Sequence, residues 1–226
     1  MVRLAAVTEE LGLDLKGTEA LDVGSGRGFY VKHLLQSGAR VTGSDISDVA
    51  VARLRKDFPD STFFHGDVSE RSTLPEGERF DLITAFSVFV HIVSDERWGL
   101  ALRNLSARLR PGGYLLVDDL FPEKSTGGAD YCRNRSARDW ESAVAGAGLQ
   151  VIRFFPGPLL VNRNKLFQLA GEAFPGIFLT IEKSVLRIES SKPMTVLPPP
   201  GKLLGPRGAL MVLRKPSTGL ERGVAE

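Results

Sequence analysis

The chain has one cysteine, Cys132, and three histidines among its 226 residues. A single thiol excludes an intrachain disulfide, so the small disulfide-stapled secreted domains are excluded and a cytoplasmic protein is expected. The histidines at positions 33, 65 and 91 have no metal-ligand spacing, and no bound metal is expected.

The chain also lacks an excess of charge and a long apolar run. Its 29 basic and 27 acidic residues give a formal net charge of +2, too balanced to indicate a nucleic-acid partner. No segment approaches the roughly 18 uninterrupted apolar residues of a membrane span, and the N-terminus does not resemble a signal peptide. With 42% apolar residues, the composition predicts one domain over residues 1–215 and a flexible polar tail over 216–226.

The most informative segment is a short apolar strand that runs into a glycine-rich turn. Residues 20–23 read Ala-Leu-Asp-Val, and Gly24, Gly26 and Gly28 follow before an amphipathic run. This arrangement brings bare backbone close to a nucleotide-type ligand in doubly wound α/β domains. A dinucleotide fingerprint needs its third glycine one position later, where this chain has Phe29.

Acidic residues follow the next two predicted strands. Asp45 ends the second strand, where a carboxylate can accept two hydrogen bonds from a ribose diol. Dehydrogenases use the same device, so Asp45 indicates a nucleoside-containing ligand without naming it. Asp67 and Val68 follow the third strand.

Strands and helices alternate along the rest of the chain. The pattern predicts strands at 20–23, 40–44, 62–65, 80–87, 114–118, 149–154 and 209–214, with a loop at 119–134. It predicts helices at 2–13, from 29 to about 38, at 48–58, from an Asp95 N-cap to about 108, and from a capping box at 136–139 to about 147.

These motifs together resemble the class I S-adenosylmethionine (SAM)-dependent methyltransferases. That family's first motif reads acid-x-G-x-G-x-G, matching Asp22 and the three glycines, and the Leu-Arg-Pro-Gly-Gly turn at 109–113 is also typical. The resemblance implies a mostly parallel seven-stranded α/β sheet of order 3-2-1-4-5-7-6, with strand 7 antiparallel and helices on both faces. It implies SAM as cofactor and S-adenosylhomocysteine as product.

The predicted cofactor site lies at the carboxyl ends of the strands. In the resembling family, an acid in the position of Asp67 takes the exocyclic amine of adenine. Asp22 is expected to steady the loop or to meet the methionine ammonium through water. The full predicted set is Asp22, Gly24, Ser25, Gly26, Asp45, Ile46, Asp67, Val68 and Ser87.

Three residues are candidates for catalysis. His91 resembles a histidine common in the family after the fourth strand, and imidazole suits a general base for a hydroxyl acceptor. The alternative, which the sequence favours, is a packed histidine that shapes the cofactor pocket. Asp118 and Asp119 could serve as base, hold a substrate hydroxyl or bind a cation. A cation is disfavoured because metal-dependent relatives need a further acid after the fourth strand, where this chain has Ser87.

The segment 155–208, between the last two strands, is longer than an ordinary connection. Its apolar spacing predicts two helices, which we interpret as a substrate lid or a homodimer interface; plain core packing at the sheet edge is the alternative. The predicted activity is methyl transfer to a small molecule, first a hydroxyl of a sugar, phenol or natural product. An N-methyltransferase and a catalytically silent SAM-binding subunit are the alternatives.

Overall fold

The computed structural model describes residues 2–74, 76–127, 130–156 and 208–217. Of the insertion predicted at 155–208, residues 155–156 and 208 belong to strands and residues 157–207 lie outside the described residues. Residues 218–226 of the tail predicted at 216–226 also lie outside them. Among the described residues, no helix is long and apolar enough to cross a membrane.

A seven-stranded sheet forms the centre of the domain, in the order β3-β2-β1-β4-β5-β9-β8. The first five strands run parallel, and β9 runs antiparallel to both β5 and β8. The strands of this sheet are β1 (Glu19–Val23), β2 (Arg40–Asp45), β3 (Thr62–His65), β4 (Phe80–Phe86), β5 (Leu109–Leu120), β8 (Gln150–Pro156) and β9 (Gly208–Arg214).

This topology confirms the predicted fold class, because β8 and β9 are the sixth and seventh strands of the prediction. Their numbers differ because the predicted loop at 119–134 contains a two-stranded ribbon, β6 (Thr126–Gly127) with β7 (Arg133–Asn134). Strands of two residues are too short to show an alternating pattern, so the sequence did not reveal them.

The helices are α1 (Val2–Glu10), α2 (Phe29–Gln36), α3 (Asp48–Asp57), α4 (Asp95–Arg108) and α5 (Ala137–Gly146). The predicted capping box at the start of α5 is present, with Ser136 and Asp139 each accepting from the other's backbone. The prediction of Asp95 as N-cap was wrong. The Ser94 hydroxyl accepts from the backbone N–H of Arg97, and Asp95 is the first helical residue.

Both faces of the sheet are covered. Successive residues of β5 point to opposite sides, so Leu115 joins one buried cluster and Leu116 the other. Residues of α4 and α5 pack on the first side, among them Trp98, Leu102, Leu105 and Trp140. Residues of α1, α2 and α3 pack on the second, among them Leu4, Val31, Leu34, Val51 and Leu54. The carboxyl ends of the parallel strands are thereby held together at one edge.

Candidate active site

A cavity of about 380 Å³ opens at the carboxyl ends of β1, β2, β3 and β4. The strand order reverses between β1 and β4, and open α/β sheets bind their ligands at that point. Its size suits a small-molecule ligand. Seven of the predicted site residues line it, namely Gly24, Asp45, Ile46, Asp67, Val68, Ser87 and His91. The other five, Asp22, Ser25, Gly26, Asp118 and Asp119, do not.

A second, smaller cavity of about 230 Å³ lies between the turn at 71–73 and α4. Its walls carry both arginines and glutamates, and Val68 is the one predicted site residue among them. The larger cavity is therefore the candidate site.

Gly24 has a conformation and surroundings that strongly favour glycine. Its φ is +68°, and a Cβ built there would come within 2.6 Å of the Val88 Cγ2 atom. Its N–H donates to the Ser44 carbonyl at 2.8 Å, which ties the glycine loop to β2. The bare backbone of Gly24 therefore forms part of the cavity wall.

Asp45 braces the glycine loop as well as lining the cavity. One carboxylate oxygen accepts from the Gly26 N–H at 2.7 Å, and the other from the Ser47 N–H at 2.9 Å. Each oxygen offers about two acceptor positions, so the carboxylate retains room for two further donors. The sequence did not predict this second role.

Asp22, before the glycine loop, and Ser25, within it, are both buried. The Thr84 hydroxyl donates to Asp22 Oδ1 at 2.6 Å, whereas Oδ2 is buried without a hydrogen-bond partner. Burial raises the pKa of Asp22 from 3.8 to about 7. The Ser25 hydroxyl donates to the backbone carbonyl of Asp22 at 2.8 Å.

Asp67 is bound by residues that the sequence analysis missed. Its Oδ1 accepts from the Ser69 N–H at 2.7 Å and from the Ser69 hydroxyl at 2.5 Å. Its Oδ2 accepts from Arg97 Nη2 at 2.7 Å. Arg97 lies in the first turn of α4 and lines the cavity. No local pattern marks this arginine, because its partners lie 28 and 30 positions earlier in the chain.

Ser87 has a φ of +57°, the one positive φ at a non-glycine residue in the described part of the chain. Such backbone strain persists where the surroundings enforce it, and it is concentrated at functional sites. The Ser87 N–H donates to the Asp118 carbonyl at 2.9 Å, which aligns the end of β4 with that of β5.

His91 is exposed and lies on the cavity wall. Its Nδ1 is 3.3 Å from the Tyr131 carbonyl oxygen and 3.6 Å from the Cys132 sulfur.

Asp119 lies outside the cavity and accepts from the Leu120 N–H at 2.7 Å, and burial raises its pKa to about 6. No group of three or more potential ligands among the described side chains could hold a metal ion.

The fold as a whole is shared with solved methyltransferase structures. The 1,6-didemethyltoxoflavin-N1-methyltransferase of Burkholderia thailandensis, crystallised with S-adenosylhomocysteine, is 18% identical with a TM-score of 0.62. The match covers 96% of this chain and 78% of that structure. At this identity the similarity concerns the fold.

A sequence comparison identifies the family. Residues 20–113, from β1 into β5, match the family model described as a methyltransferase domain. This part of the chain, less than half of it, is similar to a methyltransferase domain. The resemblance seen in the glycine loop is thereby confirmed.

Curated relatives of the methyltransferase domain act on different acceptors. A dTDP-3-amino-3,6-dideoxy-alpha-D-glucopyranose N,N-dimethyltransferase of Streptomyces fradiae is 33% identical over 115 residues, covering 50% of this chain and 44% of the relative. A ubiquinone biosynthesis O-methyltransferase of Roseobacter denitrificans is 28% identical over 143 residues, covering 62% and 51%. The chain thus spans about half the length of these relatives.

Proposed function

We propose that the protein transfers a methyl group from SAM to a small-molecule acceptor, and that the cavity at the strand ends holds SAM. The observation that carries the proposal is the convergence of three features on one cavity. These are the bare backbone of Gly24, the carboxylate of Asp45 and the carboxylate of Asp67. The glycine backbone lets a ligand approach closely, and the two carboxylates can accept hydrogen bonds from ribose hydroxyls and from an exocyclic amine.

Different residues around the cavity would bind different parts of SAM. Asp45 would accept from the ribose hydroxyls, and Asp67 from the adenine amine. Ile46, which is 68% exposed, and Val68 supply apolar surface for the base. When bound, SAM supplies an activated methyl group on a sulfonium. The protein then has mainly to align the acceptor with that group and to exclude water.

A hydroxyl is the acceptor that the site supports best. The Tyr131 carbonyl can only accept, so its hydrogen bond with His91 requires the proton on Nδ1. Nε2 then carries the lone pair and can take the proton that a hydroxyl acceptor loses. His91 is thus the proposed general base.

An amine acceptor is the second candidate. The specific observation in its favour is the relative from Streptomyces fradiae, which is named as an N,N-dimethyltransferase. A neutral amine carries its own lone pair, so methyl transfer to it needs no base in advance. The relative from Roseobacter denitrificans, named as an O-methyltransferase, favours the hydroxyl.

Matched pairs of acceptors test the proposal. The full chain would be incubated with methyl-labelled SAM and with phenols or sugar nucleotides, each beside the analogue with an amine in place of one hydroxyl. We expect label in the hydroxyl member of a pair. Label in amines alone would select the second candidate. SAM binding without transfer to any acceptor would indicate a silent subunit and contradict the proposal.

The His91→Ala variant tests the base. Loss of a general base should lower turnover of a hydroxyl acceptor by roughly 10²–10⁴-fold. The affinity for S-adenosylhomocysteine should change little, because the base acts on the acceptor. Asp119→Asn is the control and should keep near-normal turnover. Equal losses of cofactor affinity and turnover in His91→Ala would instead make His91 part of the cofactor pocket wall.

A further inference from the structure

Arg97 and Ser69 leave Asp67 with one acceptor position. The backbone N–H and the hydroxyl of Ser69 occupy both positions of Oδ1, and Arg97 Nη2 occupies one of the two on Oδ2. The Asp67 side chain is 17% exposed. A ligand in the cavity can therefore be bound by Asp67 through the second position of Oδ2.

The same network fixes the direction of its hydrogen bonds. Arg97 Nε lies 3.0 Å from the Ser69 oxygen, and a guanidinium can only donate. The Ser69 hydroxyl therefore accepts from Arg97 and gives its own proton to Asp67 Oδ1. With donors on both oxygens, the Asp67 carboxylate is held in one position.

Arg97 also joins two walls of the cavity. Its backbone is held at the start of α4 by the Ser94 cap, and its guanidinium reaches the loop after β3. Ser94 lines the cavity, as does the segment before it, which follows β4. The position of the Asp67 carboxylate is thus set by an element on the opposite wall.

We propose that Arg97 is a positioning residue that holds the Asp67 carboxylate in the place where its free acceptor position can meet the ligand, and so strengthens the preference of the cavity for a 6-amino purine over a 6-oxo purine. The inference rests on the proposed function, in which the cavity holds SAM. A 6-amino group donates to Oδ2, whereas a 6-oxo group places a second acceptor against it. Loss of one hydrogen bond to a charged group should weaken binding on the order of 10- to 100-fold.

If the Arg97–Asp67 pair served only to stabilise the fold, its loss would leave the ratio of the two ligand affinities unchanged. The Arg97–Asp67 pair is partly exposed, and such pairs contribute little to stability. The chain offers a matched pair for comparison. Arg110 Nη1 lies 2.6 Å from Asp81 Oδ2, both side chains are 43% exposed, and neither lines the cavity.

The test compares S-adenosylhomocysteine with S-inosylhomocysteine by titration calorimetry on the full chain. The wild type should bind the adenosyl ligand about 10- to 100-fold more tightly. Arg97→Met, which keeps the apolar stem, should lower this ratio about 10-fold, chiefly by weakening the adenosyl ligand. Arg97→Lys should restore part of the ratio, and Arg110→Met should leave it at the wild-type value.

Two results would overturn the inference, and they are distinguishable. If the wild type binds S-adenosylhomocysteine and Arg97→Met keeps the wild-type ratio, Arg97 does not position Asp67. If the wild type binds neither ligand, the proposed function fails and the inference fails with it. Ser69→Ala is a second probe should Arg97→Met not fold. This variant removes the hydroxyl that accepts from Arg97 Nε, and it should lower the ratio of the two ligand affinities. An unchanged ratio in the folded variant would also overturn the inference.

Discussion

Asp22 is a buried acid in surroundings that disfavour its charged form. It is buried beside the glycine loop with one oxygen unpartnered, and burial raises its pKa to about 7. A buried carboxylate oxygen without a hydrogen-bond partner is costly, which favours the neutral, protonated form of the group. The sequence predicted the acid before the loop. It could not predict the Thr84 hydrogen bond, which depends on the register of β1 against β4.

The pH dependence of unfolding tests this reading of Asp22. The folded-state pKa of about 7 exceeds the ordinary value of 3.8, so the folded protein holds a proton that the unfolded chain releases between those values. The contribution of Asp22 to stability is therefore fully present below about pH 4 and is lost as pH rises to about 7. The loss is on the order of 4 kcal/mol at about 1.4 kcal/mol per pKa unit.

Asp22→Asn should remove this pH dependence. Urea unfolding of both proteins between pH 5 and pH 8 would measure it, with the variant gaining stability relative to the wild type as pH rises. Subtracting the two curves removes groups common to both proteins, such as Asp119, whose pKa burial raises to about 6. A constant difference across this range would contradict the raised pKa of Asp22.

Among the structural elements, the glycine loop could be predicted from the sequence, whereas the side chains that pack around it could not. The spacing of Gly24 and Gly28 signals backbone that must turn and approach closely, and both have a positive φ. The side chain that forbids a Cβ at Gly24 is Val88, which belongs to the segment after β4. Local pattern does not reveal such long-range packing, just as it did not reveal the β6–β7 ribbon.

Alanine at two glycines separates backbone strain from packing. Gly24 and Gly148 both have a φ of +68°, but a Cβ at Gly148 meets nothing within 4 Å. Gly148→Ala should cost about 1–2 kcal/mol of unfolding free energy through left-handed strain. Gly24→Ala should cost roughly 1–3 kcal/mol more because of its clash with Val88, and should weaken SAM binding.

Removing the clashing methyl group tests the cause. In Gly24→Ala combined with Val88→Ala, the nearest remaining Val88 atom, Cβ, lies 3.9 Å away, so part of the lost stability should return. Urea unfolding gives the stabilities, and titration with S-adenosylhomocysteine gives the affinities. Equal destabilisation by the two single glycine variants would show that packing against Val88 contributes nothing.

At the scale of the whole molecule, the sheet order followed from the family resemblance and not from local pattern. Alternating strands and helices indicate a doubly wound fold, but no single segment of the sequence shows which distant strands pair. The topology brings Gly24, Asp45 and Asp67 to one edge, as the sequence analysis expected. The wall that carries Arg97 was not foreseen, because its contacts form only after α4 packs against the sheet.

The proposed function requires that this edge of the sheet binds a SAM-type nucleoside and not a dinucleotide. Titration calorimetry of the full chain with S-adenosylhomocysteine and with NAD tests it most directly. We expect S-adenosylhomocysteine to bind and NAD not to bind, and we expect Asp45→Ala to weaken the binding by about 1.5–3 kcal/mol while the protein stays folded. NAD binding as tight as that of S-adenosylhomocysteine, or an affinity unchanged in folded Asp45→Ala, would contradict it.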